Sequence, residues 1–180
     1  MKKIISAALL TLAVGGVNAQ AYLGATVGVT TANLACPANA MCDKTDTGFK
    51  IYGGYTVVEG LAAELGYLDY GQNAGKLGVA TFDVKSHAIY LAAAMHGDFT
   101  TAFGGTLRLG AAKVKTSGTY GFGAAQSVSE DKFKAYVGLG LDYAFTKNWK
   151  GVAAADFTTA EVKKEEVAVR MFSLGAQYNF

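Results

Sequence analysis

The last ten residues of the chain, from Met171 to Phe180, alternate strictly between two kinds of side chain. Every second residue is apolar: Phe172, Leu174, Ala176, Tyr178 and Phe180. The residues between them, most of which are small or polar, are Met171, Ser173, Gly175, Gln177 and Asn179. Because neighbouring side chains of a β-strand point to opposite faces, this segment predicts a strand with one apolar face. That face fits either the interior of a soluble sheet or the lipid side of a transmembrane barrel.

The N-terminal segment predicts export from the cytoplasm. Lys2 and Lys3 precede an apolar segment at residues 4–17, and Val17, Asn18 and Ala19 resemble a small-residue cleavage site. This order is typical of a secretory signal peptide. The apolar segment is shorter than the roughly 18 residues of a membrane helix. We predict a signal peptide at residues 1–19 and a single mature domain at residues 20–180.

The charge and composition exclude several classes of protein. Without Lys2 and Lys3, the predicted mature chain has 14 basic residues against 14 acidic ones. A chain with no net charge is not expected to bind nucleic acid through a basic face. No later apolar run is long enough for a membrane helix. High glycine content, abundant tyrosine and phenylalanine (ten of each) and a single proline fit strands better than helices.

The two-residue alternation recurs along the mature chain and predicts eight strands. Their expected ranges are 21–30, 48–57, 61–70, 83–95, 101–113, 132–145, 149–157 and 171–180. Long connections (31–47, 71–82, 115–131 and 158–166) alternate with short ones (58–60, 96–100 and 146–148). Outer-membrane barrels have short periplasmic turns and longer outside loops. The pattern predicts an all-β fold, an eight-stranded antiparallel transmembrane β-barrel, with a lipocalin-like soluble barrel as the alternative.

Aromatic residues cluster near the short connections on the apolar face. They are Tyr55, Tyr143, Trp149, Tyr178 and Phe180. A core-facing stripe has no need of such clustering, whereas aromatic girdles mark the membrane–water interface of transmembrane barrels. The clustering therefore favours the membrane barrel.

Three segments carry a resemblance to a known family. FKIYGGY begins at Phe49, LAAELGYLDYG begins at Leu61, and GLGLDY begins at Gly138. They resemble the second, third and sixth strands of the transmembrane barrel of outer membrane protein A and its small relatives. The resemblance implies a location in the outer membrane of a bacterium. The ending with Tyr178 and Phe180 is similar to the signal that the outer-membrane barrel assembly machinery reads. No cell-wall-binding domain is expected after Phe180.

Five charged residues fall on the face opposite to the apolar one: Lys50, Glu64, Arg108, Lys134 and Asp142. An eight-stranded barrel is just wide enough to be filled by side chains, and buried charges need partners. We therefore predict an ion-pair network in the lumen, together with the inward tyrosines Tyr52, Tyr70, Tyr90 and Tyr136. An acid–base pair of carboxylates is the alternative, and it requires a cleft for substrate. The resemblance places Glu64, Arg108 and Asp142 at motif positions of the family, but Val152 stands where the family usually has an inward arginine.

The two cysteines lie in the first long connection. Cys36 and Cys42 are six positions apart in a chain that we expect to be exported, so we predict a disulfide between them. A metal site is the alternative, but no histidine lies near these thiols in the sequence. No metal and no cofactor is expected.

The expected role is structural or a surface interaction through the extracellular loops. A narrow pore for small solutes is the first alternative, and a lipid A-modifying enzyme is the second. Ser86 and His87 are adjacent, and therefore on opposite faces of a regular strand, while His96 lies beside a short turn; no catalytic residue is expected. The expected partners are outer-membrane lipid, lipopolysaccharide near Arg170, the barrel assembly machinery and an extracellular ligand of the loops.

Overall fold

The computed structural model describes residues 21–32, 41–42, 45–77, 80–121, 126–162 and 165–180. Within these ranges, no helix is long and apolar enough to cross a membrane. The predicted signal peptide at residues 1–19 lies outside the described residues, and so does Cys36. Cys42 is described only through its backbone, so the predicted disulfide stays a prediction.

Nine strands occupy most of the described chain. They are β1 (Ala21–Ala32), β2 (Met41–Cys42), β3 (Thr45–Val58), β4 (Leu61–Leu77), β5 (Ala80–Asp98), β6 (Phe103–Gly121), β7 (Gln126–Ala144), β8 (Trp149–Val162) and β9 (Glu165–Asn179). Each of the eight long strands pairs antiparallel with two neighbours, and β1 closes the ring by pairing with β3 on one side and β9 on the other. The predicted eight-stranded antiparallel barrel is confirmed. Closure pairs both edges of every long strand through the membrane-spanning part, as hydrocarbon surroundings require.

The short β2 was not expected, because residues 31–47 were predicted to be a loop. Met41 and Cys42 pair with Lys76 and Gly75 of β4. This two-residue strand lies beside the barrel's outer end and is not one of the strands that form the closed ring.

The two faces of the strands are as the alternation predicts. In β9, Phe172 and Leu174 expose 55% and 68% of their surface, whereas Met171 and Ser173 are buried. The exposed set around the barrel is rich in Leu, Val, Ile and Phe, and the buried set contains the charged residues and tyrosines. The apolar side chains therefore face outward, and the core of the molecule is the lumen.

The strands are longer at their outer ends than the sequence predicts. The pairing of β6 with β7 continues to Tyr120 and Gln126, and that of β4 with β5 continues to Leu77 and Ala80. The predicted loops at 71–82, 115–131 and 158–166 are therefore wrong over most of their length. The physical reason is that a hairpin above the membrane meets water on both faces, so its sequence loses the apolar alternation while its backbone ladder continues.

The third predicted strand, 61–70, ends just before Gly71, whereas β4 continues to Leu77. Gly71 has a φ of 77°, a left-handed conformation that favours glycine. The register of β4 against β5 shifts between Asp69 and Gln72, and the Gly71 N–H donates to the Asp69 carboxylate at 2.8 Å. The glycine forms a bulge, after which pairing resumes.

The outer part of β7 extends beyond the closed ring. Its pairing with β6 covers residues from Gln126 to Tyr143, but its pairing with β8 begins at Tyr136. The outer part of β6–β7, residues 115–121 and 126–131, is here called the projecting hairpin. It carries a continuous backbone ladder from the barrel into the space above the membrane.

The assignment of the two faces predicts the effect of a charge on the outer one. Leu139 is half-exposed between Leu107 and Ala155 on the neighbouring strands. Leu139→Arg should lower the free energy of unfolding in lipid bilayers by about 2–4 kcal/mol, because arginine at a mid-bilayer position typically destabilises a barrel by this amount. Urea titration in vesicles measures this loss, and Leu139→Phe, which keeps an apolar side chain, is the control. Equal free energies for both variants would mean that the faces are inverted.

Candidate functional site

The first group of lumen residues is built around Glu64. Its Oε1 accepts hydrogen bonds from Arg108 Nε at 2.7 Å and from the Tyr90 hydroxyl at 2.6 Å, and its Oε2 accepts one from the Tyr22 hydroxyl at 2.9 Å. The four side chains come from β4, β6, β5 and β1, and all are buried. Both carboxylate oxygens are therefore occupied by donors from around the barrel.

The second group is built around Asp156. Lys50 Nζ donates to both of its oxygens, at 2.8 and 2.9 Å, and the Tyr136 hydroxyl donates to Oδ1 at 2.5 Å. Lys50 lies on β3 and Asp156 on β8, and these strands are not neighbours in the ring. The ion pair therefore crosses the lumen, and both of its side chains are fully buried.

Tyr52 links the two groups. Lys50 Nζ and Arg108 Cζ each lie 5.2 Å from the centre of its ring, a distance at which a cation is attracted to an aromatic face. Its hydroxyl donates to the Gln177 side chain at 3.1 Å. Tyr90 and Tyr136 stack on each other with ring centres 4.2 Å apart. The charged and aromatic side chains thus form one continuous plug.

Glycines facing the lumen make room for these rings. A Cβ at Gly24 would overlap the Tyr52 ring, and one at Gly66 would overlap the Tyr90 ring. In both cases the tyrosine is directly opposite the glycine on the neighbouring strand. Such aromatic–glycine pairs fix the strand register, and they explain why glycine is frequent on the lumen face.

A third ion pair lies nearer the periplasmic turns. Lys150 Nζ donates to Asp142 at 2.8 Å, from the neighbouring strand. The Lys150 side chain is 23% exposed. Because solvent reaches this pair, we expect it to contribute less to stability than the two buried groups.

The structure distributes the five predicted lumen charges unequally. Glu64 and Arg108 are joined directly, Lys50 and Asp142 bind other partners, and Lys134 is half-buried towards the outer end of β7. Sequence reasoning missed the partners Asp156 and Lys150. The alternation of β8 could have found them, because Lys150 and Asp156 lie two and four residues from Val152 and therefore on the same lumen face. Val152 is buried, and Lys150 provides the cation on that strand.

Among the remaining candidates, His96 packs edge-on against the plug residue Tyr22, with ring centres 5.7 Å apart. The Ser86 hydroxyl lies 3.3 Å from that of Thr116, whereas the His87 ring packs outward against Tyr67. His96 Nδ1 lies 2.9 Å from the Thr106 hydroxyl. At the C-terminus, Tyr178 packs between Trp149 and Phe180, with ring centres 5.1 and 5.0 Å away. The Phe180 N–H donates to the Ala21 carbonyl at 2.9 Å.

Over the described ranges, no three His, Cys, Asp or Glu residues lie close enough to hold a metal ion. A groove of about 880 Å³ runs along the outer surface of the barrel from β5 to β9. The exposed side chains of Leu107, Leu139 and Phe172 border it. It is a depression in the lipid-facing surface, because those side chains point away from the plug.

The sequence comparisons place the chain in a family. The family model described as OmpA-like transmembrane domain matches residues 17–180. The chain belongs to this family. Comparison with curated protein sequences gives no match. The OmpA-like barrel is therefore established by the family model together with the fold.

Solved structures of outer-membrane barrels share the fold of this OmpA-like chain at low sequence identity. A major outer membrane protein from Thermus thermophilus is 13% identical with a TM-score of 0.63, over 91% of this chain and 100% of the other. The N-terminal β-barrel domain of Pseudomonas aeruginosa OprF is 18% identical with a TM-score of 0.60, over 91% and 98%. Ail from Yersinia pestis, in complex with the heparin analogue sucrose octasulfate, is 17% identical with a TM-score of 0.55, over 89% and 99%.

The buried pair predicts an asymmetry between single and double substitutions. Lys50→Met leaves Asp156 charged and buried, and should lower the unfolding free energy by about 3–5 kcal/mol. Adding Asp156→Asn removes the charge and keeps an acceptor for Tyr136, so the double variant should recover most of that loss. Urea unfolding in vesicles measures both changes.

Lys150→Met is the matched control for this pair, because its partner is partly hydrated, and it should cost about 1 kcal/mol or less. Additive losses for Lys50→Met and Asp156→Asn would contradict an ion pair across the lumen.

Proposed function

We propose that the protein has a structural or surface-interaction role in the outer membrane, carried by its extracellular end. The observation that supports it most directly is that a buried network crosses the lumen from β3 to β8 while two hairpins extend beyond the barrel. A sealed interior disfavours solute passage. A rigid barrel that presents extended hairpins favours recognition, since binding residues are commonly placed on loops above a rigid scaffold.

The lumen argues against the narrow-pore alternative. Four inward tyrosines, Tyr52, Tyr70, Tyr90 and Tyr136, have 2% or less of their surface exposed. Glu64 and Asp156 are held by cations and hydroxyl donors, so their charges are closed into contacts instead of lining a water column. Arg108 Nη1 and the Tyr70 hydroxyl are buried without a hydrogen-bond partner among the described residues.

We further propose the cellular context that such a role needs. Residues 1–19 act as a signal peptide, Tyr178 and Phe180 present the C-terminal strand to the barrel assembly machinery, and a disulfide between Cys36 and Cys42 stiffens the first outer connection. The described Glu64 and Asp156 are fully engaged by their partners, so we expect no enzymatic activity and no lipid A modification. Arg170, exposed on the lipid-facing side of β9, contacts lipopolysaccharide.

A binding screen with probes of different chemical classes can identify the ligand of the outer loops. The complex of Ail with a sulfated sugar supports including sulfated glycans such as heparin among the probes. The protein is tested in lipid nanodiscs, so that the outer hairpins are presented as they are in the membrane.

The sealed lumen predicts the electrical behaviour. Wild-type protein in planar bilayers should show no sustained porin-like conductance, and Arg108→Ala should allow brief openings, because it removes the side chain that joins Glu64 to the Tyr52 ring. Leu139→Phe, on the lipid face, is the control and should stay silent. Steady wild-type conductance that Gly138→Trp abolishes would replace this proposal with a solute pore.

The projecting hairpin predicts where binding is lost. Replacing residues 117–129 by an Asn-Gly turn closes the ladder at the pair Thr116 and Glu130 and leaves the barrel intact. This variant should still migrate differently on gels before and after boiling, which shows that its barrel folds. It should no longer bind the probes that the wild-type protein binds. A matched control shortens β4–β5 in the same way, between Gln72 and Lys85. If a protein lacking both hairpins binds as the wild type does, the surface-interaction role is wrong.

A further inference from the structure

Three lysines lie close together on the outward face of β5 and β6, in the outer halves of these strands. Lys85, Lys113 and Lys115 are all exposed. They share their face with the lipid-facing Ile89 and Leu91, which expose 55% and 63% of their surface. The aliphatic wall of the barrel therefore continues directly into these cations. The three residues are here called the lysine patch.

The strand register sets the spacing of the patch. Lys115 is opposite His87, Lys113 is opposite Ile89, and Lys85 is opposite Ser117. Lys113 and Lys115 are two residues apart on one face, about 7 Å along the strand, and Lys85 is the diagonal neighbour of Lys115. Flexible side chains at these spacings can bring all three ammonium groups to a single anion.

Two acidic residues lie at cross-strand positions next to the patch. Asp131 is opposite Lys115 on β7, and Asp69 is opposite His87 on β4. The Asp69 carboxylate accepts hydrogen bonds from the Gly71 N–H at 2.8 Å and from the Tyr67 hydroxyl at 3.4 Å. Each lysine ammonium has three donors, so an exposed lysine that contacts a neighbouring protein group still has N–H groups to offer a phosphate.

The outward positions described on other parts of the rim have a different chemistry. Towards the outer ends of β1, β3 and β8, they are held by Thr31, Thr47 and Thr159. Arg170 on β9 is separated from the patch by β7 and β8. Among the side chains that the structure describes, the outward positive charge of the rim is therefore concentrated on β5 and β6, as one ligand would require.

We propose that the lysine patch binds the phosphate groups of a phosphorylated, acylated lipid of the outer leaflet, of the lipid A type. The acyl chains of that lipid lie against Ile89 and Leu91, immediately below the cations. This continuity of cations with an aliphatic wall favours a lipid over a soluble anion, which would gain nothing from the wall. The inference rests on the proposed outer-membrane location. Lys115 lies at the base of the projecting hairpin, but all three lysines remain in the variants with shortened hairpins, so the two proposals are tested separately.

The test uses the full mature protein in phosphatidylcholine nanodiscs that contain a few per cent of bisphosphorylated lipid A. Replacing all three lysines by glutamine should weaken lipid A binding on the order of a hundredfold, at about fivefold for each lysine near an anionic surface. Lys115→Gln alone should weaken it about fivefold. Replacing the three lysines by arginine, which keeps the charge, should leave the affinity within about twofold of wild type.

Two further arms separate the alternatives. Lys147→Gln, in a periplasmic turn, removes one lysine elsewhere and should leave binding unchanged. Inorganic pyrophosphate should bind far more weakly than lipid A. The proposal is overturned if the triple glutamine variant binds lipid A like the wild type, if the arginine variant loses binding as the glutamine variant does, or if pyrophosphate binds as tightly as the lipid. Conductance and hairpin-deletion results report on the proposed function separately, so either idea can fail without the other.

Discussion

Backbone hydrogen bonding in a medium without water is the constraint on which this structure depends. Inside a bilayer each unpaired N–H or C=O group is costly, so strands can cross only as a closed ring. The pairings of β1 with β9 and of β4 with β5 complete that ring. Closure then dictates the two-residue alternation, because each strand must show lipid on one side and the lumen on the other. The same rule allows β7 to leave the ring beyond Tyr136, where the strand approaches water.

A small closed ring creates a second problem, since its interior must be filled without stranding polar groups. This chain fills it with tyrosines, and three of their hydroxyls, those of Tyr22, Tyr90 and Tyr136, donate to the two buried carboxylates. Each carboxylate also has one cation, and both cations lie 5.2 Å from the centre of the Tyr52 ring. Breaking one partner leaves a buried charge, whereas removing both leaves a neutral gap. An arrangement of the lumen that separated these partners would therefore leave a buried charge uncompensated.

The sequence predicts the structure where the two faces of a strand lie in different environments, lipid on one side and the lumen on the other. The faces of β9 and the positions of the short turns were predictable, because lipid and lumen demand opposite side chains at adjacent positions. The outer ends of β4 to β9 were not, since a strand with water on both faces carries no alternation. At Gly71 the sequence indicates the start of a loop, whereas the glycine forms a bulge. In the lumen, Glu64 and Arg108 were predicted as members of a network, but Asp156 was overlooked. Alternation assigns a charge to a face, but it carries no information about which charges meet across the ring.

The two ends of the barrel differ in chemistry, and this difference separates what folding requires from what function can use. At the end with the short turns, Tyr178 packs between Trp149 and Phe180, and the Phe180 N–H donates to the Ala21 carbonyl. At the outer end, the ladder is extended and lysines replace aliphatic residues on one side of the wall. Neither of these outer features is needed to close the ring or to fill the lumen. Because folding does not require these features, they are free to be adapted to lipid headgroups and external ligands. In this chain they lie together on β5, β6 and β7.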